Sequence, residues 1–452
     1  MFGPVQYWYG GKCLATVYLN GEIYNYWELA TELGCHRGSE SEVLACGFAT
    51  EGPDFVKKLN GMFFIVAEVK GQIYMFRDRY GSKPAYYFND SKRSVVIVAS
   101  GIKPILTYMR AFSIPVEIDA QAEMLWKGIQ NNVGHTLFNG IRLINKGTKV
   151  TFYEEGYGNI THMSEAAFWN WKIAPVTMDY KVAVEETKRL VTRAVGKMLP
   201  NEKFGICLSG GIDSGIIAAI TKDVRTYQHT FTCRYSGEDE GPLAELSAGA
   251  NHYEIFYRDL VPEHFEKTIF HLEDLRAGAS WSNYGLYELM SKYVRVGLDG
   301  AGADELFGGY VWRYNMKVPF SQIINRSELL KDQHMVNWDE DLHARWRYDM
   351  NMFLQGVLLT VDRLSMAHTL EMRTPFLDND LVDFALNIPD EFRYGKMLLK
   401  DAFRDVLPPA VIQGPKKGWS SPDWLYGPGN KADRWTSTAL MVWKKIFLNE
   451  RI

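Results

Sequence analysis

The sequence predicts two successive domains, a layered α+β sandwich over residues 1–155 and a parallel, doubly wound α/β domain over residues 179–452 whose last part is helical. Two broad observations carry that reading. Short runs of β-branched and aromatic residues, with two helical patterns among them, fill the front third of the chain; from Asp179 onward helices alternate with short apolar strands. A third observation is local. The strand pattern Phe204–Leu208 runs directly into Ser209-Gly-Gly-Ile-Asp-Ser214 and then into the helical run Gly215–Ile220, the strand–turn–helix order of a doubly wound sheet.

In the front domain, Cys13–Leu19, Gly61–Val69, Gln72–Arg77, Ser94–Ala99 and Thr148–Tyr153 are expected strands, bounded by Gly, Asn and Asp. Trp27–Leu33 follows Asn25, and Ser41–Thr50 follows a Gly-Ser pair; both read as helices with a capping residue in front. The polar, weakly patterned stretch 156–178 reads as a linker. Beyond it, Phe204–Leu208, Tyr227–Thr232, His252–Tyr257 and Val294–Leu298 are the expected strands, and the chain from Trp346 reads as mostly helical. Helical spacing over Asp362–Asp378 predicts a core-packing helix with Arg373 paired to a neighbour, with substrate contact by this segment as the alternative.

A chain of 452 residues is long enough for two or three cores. Its 50 Lys+Arg against 54 Asp+Glu, with no local basic run, argue against a nucleic-acid polymer and for a small nucleotide as the phosphate ligand. Cys13, Cys35, Cys46, Cys207 and Cys233 are odd in number and lack C-x-x-C spacing, so neither a disulfide framework nor a zinc site follows from them. No apolar run reaches the ~18 residues of a membrane helix. The start, Met-Phe-Gly-Pro-Val-Gln, lacks the basic and apolar regions of a signal peptide. The expectation is a cytoplasmic protein without a membrane partner; a homo-oligomer is compatible with it.

The segment Ser209–Ser214 is where chemistry concentrates. Backbone N–H groups converge there on the start of a helix; Gly210 and Gly211 let the main chain approach an anion, and Ser209 and Ser214 add hydroxyl donors. A G-x-x-x-x-G-K-[ST] motif is absent from the sequence. Ser-Gly-Gly-x-Asp-Ser resembles the PP-loop of the ATP pyrophosphatases. That resemblance implies cleavage of ATP between its α- and β-phosphates, with the loop holding the pyrophosphate.

Further stretches narrow the resemblance. Asp299-Gly-Ala-Gly-Ala-Asp-Glu-Leu-Phe-Gly-Gly-Tyr310 is similar to the S-G-E-G-x-D-E-x-F-G-G-Y segment of asparagine synthetases. Val361–Asp378 is similar to that family's D-R-x-S-M-A-H-S-L-E-x-R-x-P-F-L-D, and Pro415-Lys-Lys-Gly-Trp419 to its P-K-K-G-F. In the front half, Leu19–Asn25, Leu59–Phe63 and Arg77–Pro84 resemble its glutaminase domain. The resemblance implies an N-terminal-nucleophile-like sandwich, here truncated and inactive, followed by an adenine nucleotide α-hydrolase-like domain. It implies ATP and Mg2+ as cofactors, with Ser209, Gly210, Gly211, Asp213, Ser214 and Gly300 at ATP and pyrophosphate. Asp304 is the expected magnesium ligand, since a carboxylate beside ATP can hold a cation that bridges phosphate oxygens. Asp239 is the second candidate. Lys416 corresponds to the lysine that stabilises charge on the acyl-adenylate during amide formation.

The departures matter as much. The family's glutaminase uses an N-terminal cysteine, whereas position 2 here is Phe2, a residue that disfavours removal of Met1. The family's R-H-R-G-P segment has no counterpart. Asn20, Gly21, Glu22 and Glu40 survive as a vestigial glutamine pocket, and the reading of Asn20 and Gly21 is that they are kept for a turn. The glutamate of S-G-E-G is Ala301, and its serine is Asp299, which makes Asp299 a candidate catalytic group beside Lys416. Ala279–Leu286 matches the aspartate-pocket segment poorly. The expectation is an AMP-forming, ATP-dependent amide ligase that uses free ammonia and a small-molecule carboxylate, aspartate by family default. The alternative joins the adenylate to a substrate amine, as β-lactam synthetases and lasso-peptide cyclases do. A non-catalytic, nucleotide-binding regulatory protein is disfavoured by the intact Ser-Gly-Gly-x-Asp-Ser with Asp304 and Lys416.

Overall fold

Alternation of side chains about the strands builds two cores on one sheet. The computed structural model describes residues 3–35, 38–120, 122, 135–154, 160–224, 227–234, 241–256, 262–275, 280–318, 341–414 and 431–449. The chain divides into two units, Met1–Glu123 with Asn132–Asn170, and Met124–Asn131 with Trp171–Ile452. The strands of the first unit are β1 (Val5–Tyr9), β2 (Lys12–Ile23), β3 (Gly61–Val69), β4 (Gln72–Arg77), β5 (Tyr86–Asp90), β6 (Val95–Ala99), β7 (Ile141–Leu143), β8 (Thr148–Glu154) and β9 (Ile160–Ala167). They form an antiparallel sheet in the order β1-β2-β3-β4-β8-β9 and a smaller one in the order β6-β5-β7.

Successive residues of a strand point to opposite faces. On one face of the larger sheet, Val17, Phe63, Ile65 and Phe76 pack with Leu29 of helix α1 (Tyr26–Leu33) and with Val43, Leu44 and Phe48 of helix α2 (Glu40–Glu51). On the other face, Phe64, Met75, Val150 and Phe152 pack with Tyr87, Val96 and Val98 of the smaller sheet. The neighbours Phe63 and Phe64 thus serve different cores. Helix α2 is capped by Ser39, whose side chain accepts the Glu42 N–H, and α1 ends on Gly34 in the left-handed region.

Four of the five strands and both helices expected from the sequence lie within one residue of those positions, and the fifth, Cys13–Leu19, runs on to Ile23, while β1, β5, β7, β9 and a helix α3 (Ile102–Ala111) add to them. Strand β9 corrects the reading of 156–178 as a linker. It pairs antiparallel with β8 from Thr148↔Ala167 to Glu154↔Ile160. As an edge strand it is held by main-chain bonds on one side, and Met163 to Ala167 are half-buried or exposed, so its sequence carries no apolar alternation to betray it.

The turn after β4 is locked by two charged side chains. Arg77 donates to the carbonyls of Lys83, Ile144 and Gly81 at 2.7–2.8 Å. The buried Asp78 accepts the N–H groups of Phe63, Tyr80, Ser82 and Lys83 at 2.9–3.3 Å.

In the second unit, β10 (Phe204–Cys207), β11 (Gln228–Arg234), β12 (His252–Phe256), β13 (Val296–Leu298) and β14 (Glu371–Arg373) form a parallel sheet in the order β12-β11-β10-β13-β14. Helix α4 (Tyr180–Met198) precedes β10, capped by Asp179 and burying Leu190, Val191 and Val195. Helix α5 (Ile212–Ile220) follows the glycine-rich turn, and helix α6 (Ser280–Met290) precedes β13. The predicted helix over Asp362–Asp378 is corrected in part: helix α8 (Leu354–Met366) stops, and Glu371–Arg373 runs as β14 beside β13. Arg373 is paired, to Glu371 at 2.7 Å and to the Met198 carbonyl at 3.0 Å. From β10 the chain goes first to β11 and β12 on one side and then returns to β13 on the other. That reversal opens a crevice at the carboxyl ends of β10 and β13, where ligands of open α/β sheets bind. Among the described residues no helix is long and apolar enough to cross a membrane.

Asp78→Ala leaves four buried N–H groups without their acceptor, so the unfolding transition of the first unit is expected to lose about 3 kcal/mol or more in urea titrations followed by circular dichroism.

Candidate active site

Two loops meet in the crevice. In the first, the Ser209 N–H donates to Ser214 Oγ at 3.1 Å, the two hydroxyls lie 3.1 Å apart, and the Gly211 N–H donates to Ser209 Oγ at 3.2 Å. These bonds wind Ser209–Ser214 into a closed turn with Gly211 at the N-cap of α5, where free N–H groups and the helix dipole favour an anion. Thr232 Oγ1 donates to the Leu208 carbonyl at 2.6 Å and anchors the entry of the turn to β11.

The second loop leaves β13 at Asp299 and enters the short helix α7 (Ala303–Leu306). It passes close to the first: a Cβ added to Gly300 stands 2.8 Å from Asp213 Cβ. Lys396, 4% exposed, joins the two loops, its Nζ lying 2.6 Å from Asp213 Oδ2 and 2.6 Å from Asp304 Oδ1. The structure brings together Ser209, Gly210, Gly211, Asp213, Ser214, Gly300 and Asp304. Asp239 and Lys416 lie outside the described residues. Lys396 was missed in the sequence, because an isolated lysine in a helical region reads as surface charge; the only signal is its position after Tyr394-Gly395.

A magnesium ion fits the Asp213–Asp304 pair on one structural ground: the pair already shares a cation, the Lys396 ammonium. Among the described residues no three His, Cys, Asp or Glu side chains converge as a cage. An ion here takes its remaining ligands from phosphate oxygens and water.

Asp299 sits beneath this point, half-buried. Its Oδ1 accepts the Ala301 N–H at 2.8 Å and its own N–H donates to the Arg373 carbonyl at 2.9 Å. Burial raises its carboxyl above the usual range, the Ala301 N–H opposes that, and the Asp213 charge adds to it. The Cys207 thiol, hydrogen-bonded to Asp299, is pushed well above its usual value, first by burial and then by that carboxylate.

Behind Asp304, Glu305 is pushed up to about 7 by burial and by the Asp304 charge, and accepts the Tyr310 hydroxyl at 2.9 Å. Arg313 lies over the Tyr310 and Phe353 rings and pairs with the fully buried Asp349, which also accepts the Tyr314 hydroxyl at 2.7 Å. Asp349 opens a π-helical turn, Asp349–Phe353. Glu305 and Tyr310 stand in the Asp299–Tyr310 segment, but their pairing, and the roles of Arg313, Tyr314 and Asp349, were not legible beforehand, because packing rather than spacing sets them.

In the first unit, Asn20, Gly21 and Glu22 lie inside β2, and Glu40 Oε2 accepts the Ile23 N–H at 3.1 Å. This corrects the turn reading of Asn20 and Gly21. A Cβ on Gly21 would stand 1.9 Å from the Met62 carbonyl oxygen, so glycine is needed for the close approach of β2 to β3 rather than for a reversal.

A family model described as Asparagine synthase matches residues 186–440, and one described as Glutamine amidotransferase domain matches residues 9–163. Two asparagine synthetases (glutamine-hydrolyzing) of Bacillus subtilis strain 168, numbered 3 and 1, are 28% and 27% identical to this chain. The alignments cover 90% and 93% of this chain and 76% and 77% of those relatives. The asparagine synthetase (glutamine-hydrolyzing) of Asparagus officinalis is 25% identical over 89% of this chain and 65% of its own length. The solved glutamine phosphoribosylpyrophosphate amidotransferase of B. subtilis, complexed with ADP and GMP, matches 54% of this chain and 61% of its own at 11% identity and a TM-score of 0.24, too low to argue from. These relatives and the second unit define a carbon–nitrogen ligase of the AMP-forming class. The chain belongs to the asparagine synthase family.

Asp304→Asn is expected to cut ATP-dependent pyrophosphate release by two orders of magnitude or more, on the scale of losing one group that holds transition-state charge. The circular dichroism spectrum should be unchanged, and full activity in the variant removes Asp304 from the site.

Proposed function

We propose that the enzyme activates a small-molecule carboxylate, aspartate by family default, as an acyl-adenylate and passes the acyl group to nitrogen that does not come from glutamine. The observation that carries the reading is the meeting of the closed Ser209–Ser214 turn with Asp304 through Lys396. A carboxylate oxygen attacks the α-phosphorus of ATP, the bond to the bridging oxygen breaks, and pyrophosphate leaves into the N–H groups of the turn and the start of α5. Asp213 and Asp304 would hold a magnesium ion, which would supply charge neutralisation to the phosphates. Nitrogen then attacks the adenylate carbonyl and AMP departs; by its position in the family segment, Lys416 is assigned the role of stabilising the charge that develops on the adenylate.

The nitrogen donor must give up a proton, and the family's glutamate is Ala301. Asp299 takes that proton in this reading. Its raised carboxyl suits a base, since proton transfer is best served by a group titrating nearer the working pH. Against glutamine as donor stand the cysteines of the first unit. Cys13, Cys35 and Cys46 are internal and have no free amine, and burial together with the Cys35 thiol pushes Cys46 up to about 12, far from an activated nucleophile. A second reading, in which a substrate amine replaces ammonia, is favoured by the small side chain at Ala301.

Two outcomes test this. With ATP, magnesium and a panel of carboxylates, ammonia is expected to support pyrophosphate release while glutamine yields no glutamate above the uncatalysed rate; glutamate production overturns the donor assignment. Asp299→Asn should leave only the free-base fraction of ammonia to react, so its activity climbs about tenfold per pH unit below the ammonium pKa, and Ala301→Glu in that background flattens the profile. If instead Ala301→Glu lowers activity and no carboxylate gives an ammonia-dependent product at any pH, the substrate-amine reading replaces this one.

A further inference from the structure

We infer that Lys396 excludes bare divalent cations from the Asp213–Asp304 pair, so that metal enters the site only together with nucleotide phosphates. The inference rests on the ATP-using reading above, and on geometry of its own. The lysine is held in place rather than resting there. Its backbone adopts the left-handed region at φ +60°, uncommon for a residue with a side chain. That conformation is fixed by the Lys396 N–H donating to the Phe307 carbonyl at 2.9 Å and the Gly395 N–H to the Gly308 carbonyl at 3.0 Å. The strained position aims Nζ between the two carboxylates. Gly309 closes the site from beside them: a Cβ there would fall 1.8 Å from Asp304 Oδ1 and 2.5 Å from Lys396 Cε, so the main chain can be this near only without one. Lysine and carboxylates are all largely shielded, with side-chain exposures of 5%, 14% and 11% for Lys396, Asp213 and Asp304.

The charges decide what can enter. The two carboxylates and one ammonium keep a net charge of minus one in a partly dehydrated setting, where each contact is far stronger than in water. A bare divalent ion has to shed water and displace the ammonium from both carboxylates at once. Nucleotide phosphates change the exchange. They bring oxygens for the metal and negative charge for the ammonium, so Lys396 turns from carboxylate to phosphate as the metal takes its place. Such an arrangement couples metal binding to nucleotide binding, and the coupling is reciprocal.

The test uses the full chain and Mn2+, whose free aqueous ion is read directly by electron paramagnetic resonance. Without nucleotide the wild type should leave Mn2+ free; with the α,β-methylene analogue of ATP it should take up one ion per chain. Lys396→Met should bind Mn2+ without nucleotide at least about tenfold more tightly than the wild type, the scale of removing one charge contact near the surface. Lys396→Arg, which keeps a cation, and Lys400→Gln, which removes a charge one turn further along, should behave as the wild type does. The inference fails if the wild type binds Mn2+ alone as tightly as Lys396→Met does, or if Lys396→Met gains no uptake. Should Lys396→Met not fold, the two wild-type titrations decide alone, since uptake without nucleotide overturns it. Metal uptake is read independently of turnover, so this failure is distinguishable from that of the ligase reading, which absent pyrophosphate release would show.

Discussion

A charge removed from water must be answered by a neighbour, and in the second unit a single ammonium answers two carboxylates. Lys396 ties the turn after β10 to the loop after β13, the two sides of the switch-point crevice. Removing one member of such a set costs far more than the set contributes, because it leaves the others uncompensated and poorly hydrated. The surrounding groups obey the same constraint. Glu305 is pushed upward because Asp304 stands beside it in a buried position, Tyr310 satisfies Glu305 with a hydroxyl, and Arg313 is spent on Asp349 rather than on the site.

The legible part of this site is the part written in consecutive residues. Ser209–Ser214 declares itself because the turn, its glycines and its hydroxyls must be contiguous to wrap an anion, and Asp304 is read from the segment in which it is embedded. Lys396 and Asp349 are joined to the site only by the fold, across gaps in which spacing carries no information. The same holds for strands. β3 and β4 bury residues on their two faces and show it in composition, whereas β9 is an edge that buries little, and β14 is only three residues long, assembled by its register with β13. Gly21 illustrates a different failure. Asn-Gly is the commonest turn signal there is, and here it lies inside β2 because the Met62 carbonyl leaves no room for a Cβ.

In the first unit the packing is accounted for element by element. The six-stranded sheet, its helical face and its smaller sheet are complete as packing, with Arg77 and Asp78 saturating the backbone of the turn between them. The residues shared with a glutamine pocket are accounted for by main-chain geometry and by the Glu40 bond to Ile23. Their presence fits a scaffold shared with the glutamine amidotransferase domain that matches this part of the chain.

The contact between Lys396 and Asp213 joins residues 183 apart in the chain. Loop closure over such a distance is entropically costly and is repaid only when the intervening elements have docked, which makes contacts of this kind late events in folding. During synthesis the phosphate-binding turn emerges long before its lysine does, and until then Asp213 stands without the partner that restrains it. The joining of the two loops by Lys396 is thus a product of the finished sheet. A ligand held by both loops would add its binding free energy to the stability of the whole unit rather than of one motif.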